Sequence, residues 1–280
     1  MVGTDRFLTL NGLKLHYVDH GRAGDPAVLL LHGVTFDGHM WDRFASQVGV
    51  RCRVLSLTAR GHGDSARAES YEGSVFVEDA AAFIDAAGIS PALMCGYSMG
   101  GSVGMGLAAI HPDKVSKLII VESSPDATTS EGRRRIAEAM HSGPDSFDTI
   151  EEAVESQRGG IPFVDDDMLR DFVKHAFARC EDGKLRGKTD PRMLQAMGWT
   201  NPDAGSVGGA DLEGLLWGAC ALIKCPTLIV RGTESDVVSR QSAERMVAAI
   251  SDAKLVEAEG GHALPFQNPL GLYEAVRGFL

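Results

Sequence analysis

The stretch Ala92-Leu93-Met94-Cys95-Gly96-Tyr97-Ser98-Met99-Gly100-Gly101 decides the fold. An apolar run from Ala92 to Cys95 reads as a buried strand. Val103, Leu107 and Ile110 then recur at helical spacing. Between them stands Gly-x-Ser-x-Gly, with no room for a loop. A strand that passes straight into a helix turns sharply and strains the residue at the corner. Side chains two residues either side of Ser98 would collide, so glycine is needed at 96 and 100. The corner exposes the Ser98 hydroxyl. It also aims the following helix's N-terminal N–H groups at the same spot. A plain glycine–serine loop is the competing account, and the strand–turn–helix context argues against it.

Working outward, the same alternation recurs. Phe7 to Leu10 and Leu13 to Val18 read as a hairpin around Asn11-Gly12. Apolar runs follow at Ala27 to Leu31, Arg53 to Leu57, Leu118 to Val121 and Thr227 to Val230, with a weaker one at Lys254 to Glu257. Helical spacing separates them, as in Val75, Phe76, Ala80, Phe83 and Ile84, and again in Ala243, Met246, Val247 and Ile250. Unbroken apolar strands with helices between them imply a parallel sheet covered on both faces. About a hundred residues between Leu118 and Thr227 read as helical with no convincing strand. Helices are expected near Arg133 to Met140, Phe147 to Gln157 and Met168 to Cys180, and after Asp190-Pro191. Glu181-Asp182-Gly183 reads as a helix exit or tight turn. The block reads as an insertion over the sheet, with no linker marking a separate domain.

An exposed serine needs a base and the base needs an orienting acid. His262, in Glu259-Gly260-Gly261-His262 after the last strand, is placed to reach Ser98 across the sheet's carboxyl edge. For the acid, Arg231-Gly232-Thr233-Glu234-Ser235-Asp236 follows a strand and Asp236 is favoured. Glu234 and Glu122 compete, the latter following the preceding strand. Two N–H donors must hold a developing oxyanion. Met99 supplies one, and Val34, in the loop His32-Gly33-Val34-Thr35, is the candidate for the other. His32 reads as tying that loop in place.

Together these residues resemble the α/β-hydrolase superfamily, and the resemblance covers nearly the whole chain. His32-Gly33, Arg60-Gly61-His62-Gly63-Asp64-Ser65, Gly96 to Gly101, the Gly232 to Asp236 turn and Gly261-His262 stand in the family's order. The resemblance implies an eight-stranded, mostly parallel sheet with helices on both faces. It also implies a helical cap between strands six and seven, giving a core of residues 1–126 and 223–280 and a cap of 127–222. Ser98, Asp236 and His262 would form the catalytic triad, with an ester or lactone cleaved through an acyl-enzyme. Carbon–carbon or amide hydrolysis by the same triad is the alternative, and a non-catalytic small-molecule receptor the alternative of another class. Serine at 98 speaks against relatives with an aspartate nucleophile. Trp199, Phe163 and Met140 are candidates to line a substrate pocket in the cap.

Composition closes off other classes. In 280 residues, 44% hydrophobic and 23% charged, there is apolar material for a sizeable core. Twenty-seven basic against 38 acidic residues leave a net charge of −11, which disfavours a phosphate backbone as partner. Cys52, Cys95, Cys180, Cys220 and Cys225 form no CxxC, so neither a zinc ribbon nor a disulfide framework is expected. No carboxylate–histidine pairing at ligand spacing supports a metal on His32, His39 or His62. Arg60 to Ser65 lacks the ending of a phosphate loop. The expectation is a cytoplasmic enzyme, monomeric or homodimeric, without cofactor, metal or membrane span, acting on a small molecule. The 33 glycines gather in good part at strand-end turns.

Overall fold

Three central strands are buried along nearly their whole length, because both faces of the sheet are covered. In the computed structural model, which describes residues 3–21, 26–161, 164–200 and 209–280, these are β3 (Ala27–Leu31), β5 (Ala92–Tyr97) and β9 (Thr227–Gly232). With β1 (Thr4–Leu10), β2 (Leu13–Asp19), β4 (Arg53–Leu57), β6 (Val115–Val121) and β10 (Ala253–Ala258) they form an eight-stranded sheet ordered β1-β2-β4-β3-β5-β6-β9-β10. β1–β2 and β2–β4 pair antiparallel and the other five pairs are parallel.

The period of two along each strand divides the core. Val28 and Leu30 of β3, with Leu93 and Cys95 of β5, face one apolar cluster. That cluster takes in α1 (Asp42–Val48) and α11 (Pro269–Val276), which follows the short α10 (Leu264–Gln267). Leu29 and Leu31, with Ala92 and Met94, face the other. There α2 (Gly73–Ala86), α3 (Met99–Ile110) and α9 (Arg240–Ala249) pack. β3 lies between β4 and β5, so the chain winds one way from β3 to β4 and the other way to β5. At such a switch point neighbouring loops diverge and leave a crevice at the strands' carboxyl ends. Gly33-Val34 and Ser98 sit there.

The chain leaves the sheet at Val121 and returns at Thr227. Between lie α4 (Glu131–Ser142), α5 (Ile150–Gln157), α6 (Asp166–Ala176), α7 (Pro191–Ala196) and α8 (Gly209–Leu222). The sequence reading of this block as strand-free is corrected. Phe177–Arg179 (β7) and Leu185–Gly187 (β8) pair antiparallel, so the helix expected to reach Cys180 ends at Ala176. Gly183, at φ +79, closes the hairpin, and the Glu181-Asp182-Gly183 turn is its tip. Phe147, expected to open a helix, instead bridges to Leu185. Three-residue strands are too short to show a period, which is why the pattern hid them. Among the described residues no helix is long and apolar enough to cross a membrane.

Candidate active site

The corner at Ser98 has the strain its sequence requires. Ser98 sits at φ 51, ψ −114, a region L-residues enter only under constraint. Its N–H donates to the Val121 carbonyl at 3.0 Å, tying the corner to β6. A Cβ on Gly96 would lie 2.2 Å from the Gly100 carbonyl oxygen, and one on Gly100 would lie 2.3 Å from that of Leu31. Both glycines are therefore obligatory by close approach.

Across the crevice, the Gly33-Val34 loop is pinned by His32. Its Nδ1 lies 2.7 Å from the Gly33 carbonyl, and its Nε2 accepts the Ala59 N–H at 2.9 Å. That arrangement puts the proton on Nδ1. Complete burial, and then the neighbouring His62, push His32 down to about 3, so it serves as a neutral strut. Among the described residues neither the Val34 nor the Met99 backbone N–H has a hydrogen-bond acceptor. The structure brings these two donors to the ends of β3 and β5, as the sequence reading placed them.

The acid facing His262 differs from the one expected. Glu122 Oε2 lies 3.1 Å from His262 Nδ1. The Glu122 side chain is wholly buried and fully engaged. It also accepts the Gly232 N–H and the Ser235 hydroxyl, each at 2.6 Å. Its backbone φ of 50 turns the carboxylate off the end of β6 toward β9 and His262. Asp236, favoured from sequence, is exposed and bonded elsewhere. Arg135 Nε donates to its Oδ2 at 2.8 Å, and its carbonyl accepts the Gly132 N–H at 3.0 Å. Asp236 thus ties α4 to the turn after β9. Glu234, the other competitor, is exposed, its N–H bonded to the Gly260 carbonyl. β6 and β9 are neighbours in the sheet, so carboxylates at either strand end come near His262. The longer glutamate, clasped by Ser235, occupies the place.

Ser98, His262, Val34 and Asp236 all line one cavity of about 1210 Å³. Phe36, Ile161, Phe172 and Phe177 give it apolar walls. Met140 and Trp199 line it as expected, although Trp199 also carries the Arg133 guanidinium 4.4 Å above its ring. Phe163 lies outside the described residues. Sequence reasoning missed Tyr97, whose buried ring lies 5.3 Å from that of His262. Burial, and then the Glu122 charge, raise its phenol well above the usual range, so it stays neutral. Arg135 lines the cavity as well, on the helix expected near Arg133 to Met140. No three potential ligand side chains converge on this cavity among the described residues. His32 and His62, once weighed as metal ligands, are locked edge to face at 4.9 Å, each with a ring nitrogen on a backbone carbonyl.

A family model described as the alpha/beta hydrolase fold matches residues 26–269. The chain belongs to that family. This hydrolase is 29% identical over 277 residues to the 3-hydroxybutyrate-oligomer hydrolase of Cupriavidus necator, covering 91% of the chain and 90% of the relative. It is 28% identical over 266 residues to esterase Rv0045c of Mycobacterium tuberculosis, covering 91% and 83%. A match to lipase LipV of the same organism, 32% identical, spans 56% of the chain and only 59% of that protein. In fold the hydrolase is similar to E-2-(acetamidomethylene)succinate hydrolase, with a TM-score of 0.86 at 22% identity, over 99% of this chain and 98% of that one.

Proposed function

We propose that this chain is a serine hydrolase that cleaves a carboxylic ester or lactone through an acyl-enzyme on Ser98. The observation that carries this reading is the buried Glu122–His262 pair, opening on the same cavity as the strained Ser98. Ser98 Oγ attacks the carbonyl carbon while His262 Nε2 takes its proton. Glu122, on Nδ1, holds the imidazole in the tautomer with Nε2 free and stabilises the cation that forms. The Val34 and Met99 N–H groups receive the oxyanion, aided by the N-terminus of α3. His262 then protonates the leaving alkoxide. Water, activated by the same imidazole, releases the acid.

Support for esters comes from the apolar cavity and from the esterase and oligomer-hydrolase names of the full-length relatives. Arg135, Met140 and Trp199, all from the segment between β6 and β9, line the cavity, which makes that segment the natural determinant of selectivity, acting as a cap. The test is Ser98→Ala assayed on p-nitrophenyl acetate and butyrate. A kcat at least about a thousandfold lower is expected, with an unchanged circular dichroism spectrum and no fluorophosphonate labelling. Ordinary turnover by that variant overturns the assignment. A wild-type preference for a vinylogous diketone over every ester would move the reading to carbon–carbon hydrolysis.

A further inference from the structure

Away from the cavity, two imidazoles and a carboxylate meet at the antiparallel edge of the sheet. Asp5 stands on β1, His16 on β2, and His39 in the 3-10 turn Gly38–Trp41 that precedes α1. Asp5 Oδ1 lies 3.0 Å from His16 Nε2 and 2.8 Å from His39 Nε2. One donor atom from each of the three residues lies within 4.8 Å of the other two. We propose that Asp5, His16 and His39 form a binding site for a zinc-class divalent cation, which nothing in the hydrolytic reading requires.

Three features go beyond proximity. First, both rings present the same nitrogen inward and have the other one held from outside. His16 Nδ1 lies 2.8 Å from Thr58 Oγ1, and His39 Nδ1 lies 3.1 Å from Asp42 Oδ2. Ligating imidazoles are typically oriented in this way, by an oxygen on the far nitrogen. Second, the spacing suits the ion. Bonds of about 2.0–2.2 Å in a tetrahedron put donor atoms roughly 3.3 Å apart. The two short contacts need widen by only a few tenths of an ångström, and Asp5, with 61% of its side chain exposed, has the freedom to give. His16 is buried and fixes the inner wall, whereas the exposed side of Asp5 leaves an entry path. Third, the chemistry exchanges a proton for a metal. His39 lies between two carboxylates, Asp5 on Nε2 and Asp42 on Nδ1, so both nitrogens carry protons to satisfy them. A divalent ion takes the place of the hydrogens that His16 and His39 Nε2 direct at Asp5: His39 releases its proton to solvent, the His16 proton moves to Nδ1 facing Thr58 Oγ1, and both imidazoles and Asp5 are left bound to the ion. Two imidazoles with one carboxylate suit zinc and its neighbours better than calcium or magnesium.

Other groups face the site and are consistent with a cation there. Asp37 is buried at the start of the turn, where it accepts the His39 N–H at 2.9 Å, and adds negative potential. His20 packs behind Asp42 at 3.9 Å. His175, from α6, stacks on the His39 ring at 3.8 Å and covers it from the side of the inserted segment. The experiment is calorimetric titration of untagged, chelator-dialysed protein with zinc chloride, with cobalt(II) absorption as a second probe. One equivalent is expected to bind, with the intense visible bands of low-coordinate cobalt. Asp5→Asn and His39→Gln, checked for fold by circular dichroism, should each weaken binding at least about tenfold to a hundredfold. His111→Gln, on a different face beside Glu78, should leave it unchanged. Absence of saturable binding to the wild type overturns the proposal. So does undiminished affinity in folded Asp5→Asn, which is the safer variant because Asp5 is exposed on an edge strand.

Discussion

Glu122 and Asp236 carry nearly the same sequence signature, yet the structure gives them different work. Each follows an apolar run, and each run ends beside the other in the sheet. The difference lies in the backbone at Glu122, which takes a left-handed φ of 50, and in the Ser235 hydroxyl that clasps its carboxylate. Neither is visible in residue order, so the carboxylate that faces His262 was only half legible. Ser98, by contrast, announces itself through the two glycines that sterics demand. Glu122→Gln is expected to lower kcat by about 10²–10⁴ on p-nitrophenyl butyrate, because a neutral amide stabilises the imidazolium poorly and tolerates the wrong tautomer. Asp236→Asn should stay within a few-fold of wild type in kcat. Steady-state kinetics on the two variants decides between the two carboxylates, and the reverse order would restore Asp236.

Strands were legible where an apolar run reached four residues or more, whereas the helices α1 and α11 were not read from spacing. Ala27–Leu31 and Arg53–Leu57 fall where the pattern puts them. The β7–β8 hairpin was not legible, since its strands are three residues each. Element packing also depends on polar joints that periodicity does not encode. Arg60, in the loop after β4, makes a two-pronged pair with Asp79 of α2, Nε to Oδ2 at 2.6 Å and Nη2 to Oδ1 at 2.7 Å. Both side chains are buried, and Asn11 of the first hairpin donates to the same carboxylate. Asp79→Ala leaves the guanidinium without its partner and is expected to destabilise the fold by about 3–5 kcal/mol, read from urea unfolding. Replacing both residues with apolar side chains should cost much less, because no buried charge is then stranded. A loss below about 1 kcal/mol for the single variant would show that the pair contributes little.

For the molecule as a whole, acid sensitivity follows from its buried histidines. Burial holds His62 at about 4, and burial with the His62 charge holds His32 at about 3, against 6.5 for a free side chain. Between those values the unfolded chain binds protons that the folded chain refuses. Stability therefore rises with pH across that window and falls as pH drops from 6.5 toward 4. The slope is up to about 1.4 kcal/mol per pH unit for each histidine. Urea midpoints at pH 7.0, 5.5 and 4.5 should decline steadily, and His62→Gln, if it folds, should flatten the decline. A midpoint unchanged between pH 6.5 and 4.5 would contradict this. A parallel sheet covered on both faces was legible from the alternation of elements, but the order of its strands was not, because no local pattern shows which loops share an edge. Ser98, Glu122 and His262 leave the sheet after β5, β6 and β10, and the long excursion begins only after Glu122 and ends before β9. The three residues proposed to react therefore stand outside the excursion, while Arg135, Met140 and Trp199 of the cavity wall stand within it. Substitutions within the excursion can thus reshape that wall while Ser98, Glu122 and His262 keep their places on the sheet.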